Sequence, residues 1–277
     1  MKTMLSIAAG CALATSAVTA LAGEKPQFTL GIQMYTFKDR TLVESVELAK
    51  KLGFEAMELT GCQKMGGELG EEQTNSGLSA EKRKALKAYL DKCGIKAVSY
   101  GVTGAGDEAG WRKEFEFVRD LGLGMMIVEP DVNALPLLDK LAAEYKIRVH
   151  IHNHTRGGSP WWSPIFMAGH VANCSEWIGA GADTGHWIPA GVDPVMGIRY
   201  LKSTRIFALH LVDADEKGHP LPYGQGKSRI KEMLDLLKPV AMKSPILLTC
   251  EYEEWTPETL PKIEACVKWY KAWMAAQ

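Results

Sequence analysis

Several features are scarce in this chain, and each scarcity removes a class of function. No charge of one sign dominates: 32 Lys and Arg stand against 33 Asp and Glu, a formal net charge of −1. A nucleic-acid surface needs a basic stripe to neutralise phosphates, and the sequence offers none. Cysteine is sparse, at six residues. They are scattered, with no CxxC pair, so they do not form a disulfide framework. A glycine-rich phosphate turn is missing after the first β-like run, GIQMYTFKD. That argues against an open dinucleotide-binding sheet. Histidine is absent from the first 149 residues; all seven histidines fall between His150 and His219.

Long apolar runs are also lacking, with one exception at the start. Lys2 is followed by an uncharged stretch from Met4 to Ala20. The small-x-small triplet Ala20-Leu21-Ala22 closes it, and Gly23-Glu24-Lys25 follows. This reads as a secretory signal peptide over residues 1–22, cut after Ala22. A membrane anchor is the alternative, but the run is short for that. The expected location is therefore periplasmic or secreted, with no membrane contact after cleavage. Five cysteines then remain (Cys62, Cys93, Cys174, Cys250 and Cys266), so at least one thiol is expected to be free.

Residues 23–277 are expected to form one domain. Eight short β-rich runs recur along them, most about thirty residues apart: 28–35, 55–59, 95–102, 124–129, 147–154, 177–183, 205–212 and 245–251. Helical signals lie between them. Leu86, Tyr89, Leu90 and Cys93 share a helix face, and Gly94 marks a stop. Trp111, Phe115 and Val118 do the same before Gly122. Asp193-Pro194 and Thr256-Pro257 each read as an N-cap followed by proline at the first helical position. Several runs have no polar alternation, as expected of parallel strands covered on both faces. Eight strand–helix units of this length predict an α/β fold, a single (β/α)8 TIM barrel.

In such a barrel, chemistry sits at the C-terminal ends of the strands. The runs stop there on acids and imidazoles: Glu58, Glu129, His152-Asn153-His154, Asp183 to His186, His210 with Asp213, and Glu251. Each has an ordinary structural reading when taken singly. Together, four adjacent strands ending in metal-type side chains point to a divalent cation. A mixed nitrogen and oxygen set suits Mn²⁺, Zn²⁺, Co²⁺ or Fe²⁺, with manganese the first choice. VHIHNHT places His150, His152 and His154 on one face of a strand if the strand runs through all seven residues.

GADTGHW, GVDPV, RIFALHLVD, PYGQG and CEYE occur in this order between Val149 and Trp255. In this, the chain resembles the xylose-isomerase-like TIM barrels, the sugar phosphate isomerase/epimerase group. GIQMYTF and LGFEAMEL give weaker echoes nearer the start. The resemblance implies one divalent ion held from strands five to eight. It gives Asp183, His210 and Glu251 as three ligands. The fourth is a glutamate in many epimerases of the family, often in a Glu-Pro pair. Glu129-Pro130 is such a pair, but it lies 54 residues before Asp183, too far for one strand–helix unit. His152 lies 31 residues before Asp183 and is taken as the fourth ligand.

The two-glutamate members of the family imply proton exchange next to a carbonyl from both faces of a sugar. Here one of the pair is replaced by imidazole, which leaves room for isomerisation or for β-elimination and hydration of a keto-sugar. Glu251, His152 and Glu129 are the candidates for proton transfer. Substrate contacts are expected from His154, His186, Lys217 and His219. Glu58 suits either a substrate contact or a structural hydrogen bond. Trp161, Trp162 and Trp187 suit either stacking on a sugar face or packing beneath a barrel lid. His150 is read as a core or supporting histidine. The expected partner is a small sugar or keto-sugar, with a homo-oligomer left open. An endonuclease-IV-like phosphodiesterase and a non-catalytic sugar-binding barrel are the other readings. The first would need more ligands on strands two and three than Glu58 alone supplies.

Overall fold

The computed structural model describes residues 25–277, so the segment read as a signal peptide lies outside the described residues. Strand and helix alternate from the start. The first half runs β1 (Phe28–Gln33), α1 (Leu42–Leu52), β2 (Ala56–Leu59), α2 (Ala80–Leu90), β3 (Lys96–Thr103), α3 (Glu108–Asp120), β4 (Met125–Val128) and α4 (Leu135–Tyr145). The second half runs β5 (Arg148–Ile151), α5 (Pro164–Val171), β6 (Ile178–Ala180), α6 (Pro194–Leu201) and β7 (Ala208–His210). A small antiparallel hairpin follows, β8 (Asp213–Ala214) with β9 (Pro220–Leu221), then α7 (Ile230–Ala241), β10 (Ile246–Cys250) and α8 (Thr259–Ala275).

The parallel sheet has the order β6-β5-β4-β3-β2-β1-β10-β7. Isolated parallel bridges at Ala180–Ile206 and Asp183–His210 bring β7 back to β6. The result is a nearly closed (β/α)8 barrel, as the eight-unit rhythm predicts. Strands such as MMIV of β4 and ILLTC of β10 are buried at every position. That is why they read as unbroken apolar runs. A large apolar layer separates sheet from helices. A smaller cluster, including Ala56, Met125, Ile127 and Leu247, fills the barrel floor.

Local caps fix the helix starts. Thr41 and Glu44 form a reciprocal capping box on α1, and Ser79 and Asp107 cap α2 and α3. Asp193 caps α6 through Val195 N and Met196 N, with Pro194 at the first position, as expected. Thr256-Pro257 behaves differently. Thr256 Oγ1 accepts from Glu258 N, and α8 begins only at Thr259, with no side-chain cap. The threonine closes a turn before the helix instead of starting it.

The VHIHNHT expectation also needs correction. β5 ends at Ile151, and His152 N makes a last bond to Val128 O at 2.8 Å. Neighbouring β4 stops there because Glu129 is followed by Pro130, which has no N–H to extend a ladder. His152 and His154 therefore stand on the loop leaving β5.

Candidate metal centre and active site

His152, Asp183 and His210 each bring one ligand atom to within 4.8 Å of the other two. All three side chains are buried, at 2%, 4% and 2% exposure. Asn153 fixes the relation between the first two. Its side-chain amide exchanges two hydrogen bonds of 3.1 Å with the Asp183 backbone, so the ends of β5 and β6 are cross-linked. Thr184 ties the same end of β6 to the segment after β7 by accepting from Val212 N at 2.9 Å. Asp183 Oδ1 accepts from Gly185 N at 2.7 Å. The other oxygen, Oδ2, faces His210 Nδ1 and His186 Nε2, each at 3.7 Å.

Glu251, just past β10, completes the cluster. Its Oε2 lies 2.7 Å from His210 Nδ1. That nitrogen is buried and has charged neighbours, but none along a hydrogen-bond direction. His152 Nδ1 is likewise buried without a partner. Unpartnered imidazole nitrogens among carboxylates are unusual in a packed interior. They belong to a group, His152, Asp183 and His210, whose ligand atoms could hold a cation, with the Glu251 carboxylate against His210 Nδ1. These residues fit a divalent ion such as Mn²⁺ or Zn²⁺.

The protonation pattern agrees in part. Burial, then His210, depresses His152 well below its usual range, leaving it neutral as a ligand must be. Burial would raise Asp183, but His186, His210 and His152 outweigh it and hold the carboxyl below its ordinary value. Burial also opposes charge on His210, yet Glu58 and Glu251 push it well above the usual imidazole value. Without an ion, His210 therefore carries the proton. Glu251 is raised by burial first, and by Asp183 and Glu58, against the pull of His210.

A cleft of about 440 Å³ opens beside the cluster, lined by Asp183, His186, Lys217, His219, Glu251 and Glu253. Burial works against charge on His186, but Asp183 and Glu253 raise it to about 9. Its Nε2 lies 3.2 Å from Glu253 Oε1. Glu253 is a site residue that sequence reading passed over, although its place two residues after Glu251 in CEYE was a usable signal. Lys217 and His219 stand on the cleft wall, and His219 pairs with Asp215 at 2.9 Å. His154 is half-exposed at the rim, with its ring centroid 5.0 Å from that of His186. It pairs with Glu129, whose carboxylate also takes the Ser159 hydroxyl and His154 N. Glu129 thus holds the loop leaving β5, and nothing places it against the cleft.

Other expected contacts are elsewhere. Trp161 and Trp187 are both 0% exposed. Trp161 donates to Pro130 O at 2.7 Å, and the Trp187 ring packs on Gly197 of α6. These two tryptophans serve packing and offer no face to a sugar. Trp162 is half-buried, with the Arg156 guanidinium stacked on its ring. Glu58 is completely buried among Gln33, Ser99 and His210, so it is not a substrate contact. His150 is buried deeper and accepts from Phe207 N at 3.1 Å. Burial, then His210 and Arg148, depress it to about 3, so it is a neutral supporting histidine.

The profile of the xylose isomerase-like TIM barrel family matches residues 46–273. The chain belongs to that family. Among solved structures, it is similar to a putative uncharacterized protein from Parabacteroides distasonis, with 28% identity, a TM-score of 0.71, and 88% of this chain and 98% of that one covered. A D-tagatose 3-epimerase-like protein shares its fold at 16% identity and a TM-score of 0.68, covering 90% of this family member and 97% of that chain. So does a probable 3-DHS dehydratase from Bacillus anthracis, at 12% identity and a TM-score of 0.63, covering 88% and 98%. No curated protein matches the sequence.

Proposed function

We propose that this barrel is a divalent-metal-dependent enzyme that removes a proton next to a carbonyl on a sugar or keto-sugar. One observation carries the proposal: the donor atoms of His152, Asp183 and His210 converge, with Glu251 against His210, and two of these residues, Asp183 and Glu251, line the cleft. The family membership and the epimerase-like neighbour support it. Manganese is the favoured ion, and an exported carbohydrate-utilisation setting, periplasmic or secreted, follows from the reading of residues 1–22.

When bound, the ion would polarise neighbouring substrate oxygens and acidify the adjacent C–H. Glu251 is the residue for proton removal. Its carboxylate lines the cleft wall directly beside the ligand cluster, within reach of a substrate held there. His152 stays neutral and holds its place as a ligand. His186, backed by Glu253, offers a proton from the same cleft wall. Lys217 and His219 are positioned to contact hydroxyl groups, and His154 to contact the rim of the substrate.

A second reading rests on the same wall. Glu251 and His186 form an unlike pair, a carboxylate with an imidazolium, where a two-base epimerase would use two carboxylates. That pairing favours β-elimination from a keto-sugar, with Glu251 taking the α-proton and His186 protonating the departing oxygen. Metal analysis followed by incubation with sugars and keto-sugars in D₂O tests both. Deuterium entering a carbon-bound position without loss of water supports isomerase or epimerase chemistry, and release of an enone supports elimination. A purified protein that holds no divalent ion and ignores chelators would falsify the proposal.

A further inference from the structure

Glu58 has no surface exposure, yet it is one of the most heavily hydrogen-bonded side chains in the barrel. Its Oε1 accepts from Gln33 Nε2 at 2.5 Å and faces His210 Nε2 at 2.7 Å. Its Oε2 accepts from Ser99 Oγ at 2.7 Å. Gln33 cannot turn its amide around. Nε2 also donates to Gly101 O at 3.0 Å, and Oε1 accepts from Tyr35 N at 3.2 Å. A fixed donor therefore meets Glu58 from β1, and another from β3. The carboxylate is left to accept from His210, so Nε2 carries the hydrogen. The ring's other nitrogen, Nδ1, is then the one that offers a lone pair. It is also the nitrogen that faces Asp183 Oδ2 and Glu251 Oε2.

We infer that Glu58 is a positioning residue: together with Gln33 and Ser99 it locks His210 as the Nε2–H tautomer and presents Nδ1 to a divalent cation. This rests on the metal reading above. A carboxylate behind a ligating imidazole fixes both its orientation and its tautomer, and losing such a partner typically weakens metal binding about 10- to 100-fold. The arrangement is built from three strands (β1, β2 and β3) that supply no ligand themselves. They would act on the centre only through His210.

Zinc ion is a suitable probe, with affinity read by competition against a chromogenic chelator on the full chain. Glu58→Gln should weaken zinc binding by about 10- to 100-fold, because a neutral amide can turn its donor toward the ring. Ser99→Ala, which leaves His210 untouched, should weaken it less. The second measurement needs no variant. In zinc-loaded wild-type protein labelled with ¹⁵N-histidine, long-range proton–nitrogen correlation should show His210 protonated at Nε2 and coordinated through Nδ1. Coordination through Nε2, or a Glu58→Gln variant that binds zinc as tightly as wild type, overturns the inference. If wild-type protein binds no zinc, manganese or cobalt, the metal reading itself falls, and this inference with it.

Discussion

At the scale of single side chains, a proton would compete with the proposed ion for the centre. His210 is held well above the usual imidazole range by Glu58 and Glu251, so the metal-free protein binds a proton where a cation would sit. An unperturbed histidine near 6.5 would stop opposing metal binding above neutral pH. A raised one goes on releasing its proton at higher pH, so apparent affinity should keep climbing between pH 7 and 8, by about tenfold per unit for one proton released. Chelator competition at several pH values measures this, and a flat response over that interval would rule it out. Glu251→Gln asks a separate question. The amide keeps an oxygen near His210 but cannot take a proton, so at saturating metal the rate of solvent deuterium uptake should fall about 10²- to 10⁴-fold. An unchanged rate would move the base elsewhere.

At the scale of elements, the loop after β7 shows how a carboxylate at a strand end can serve the backbone. Asp213 is 1% exposed and looks like a ligand in sequence. Its Oδ2 accepts from Gly224 N and Gly226 N at 2.8 and 3.0 Å, and its Oδ1 from Ala214 N and Ser228 N at 3.1 and 3.0 Å. Gly226 is required there, because a Cβ would run into the carboxylate and the Ala214 backbone. Asp213→Ala strands several buried N–H groups, each costing about 1–3 kcal/mol. The expected result is a clear drop in melting temperature, with faster proteolysis between residues 222 and 228. Unaltered melting would show that water replaces the carboxylate without loss.

The same scale separates what was legible in the sequence from what was not. All eight strands were visible, because a strand covered on both faces must be apolar throughout and stands out between amphipathic helices. Polar side chains ending those runs marked a wider set of candidates, Asp213 and Glu58 among them, and only the family resemblance and the 31-residue spacing of His152 and Asp183 narrowed it to His152, Asp183, His210 and Glu251. The choice between sugar stacking and packing for Trp161 and Trp187 was not legible, since nothing in an aromatic residue tells which way a loop folds it. The pairing of His186 with Glu253 joins loops after different strands, and the clamp of Gln33 and Ser99 on Glu58 joins three. Such relations depend on strand register, which composition and period do not encode.

At the scale of the whole molecule, the four candidate ligands fall around the weakest seam of the barrel. β1 and β10 share a five-residue ladder, whereas β6 and β7 meet only through isolated bridges. Asp183 and His210 are themselves one of those bridges, with Thr184 N bonded to His210 O and His210 N to Ala182 O, both at 3.0 Å. An ion shared by these residues would tie the seam together across β5, β6, β7 and β10. Binding to the native state raises its stability by mass action, by about 2.7 kcal/mol at a hundredfold excess over the dissociation constant. That gain should be concentrated where the barrel opens most easily. Hydrogen exchange at the amides of Ala180, Thr184 and His210 should therefore slow on adding manganese or zinc more than exchange in the β1–β10 ladder does. Asp183→Ala should remove the difference while leaving β1–β10 protection in place. Equal slowing at both seams, or none at either, would mean that the closure of this barrel does not depend on the ion.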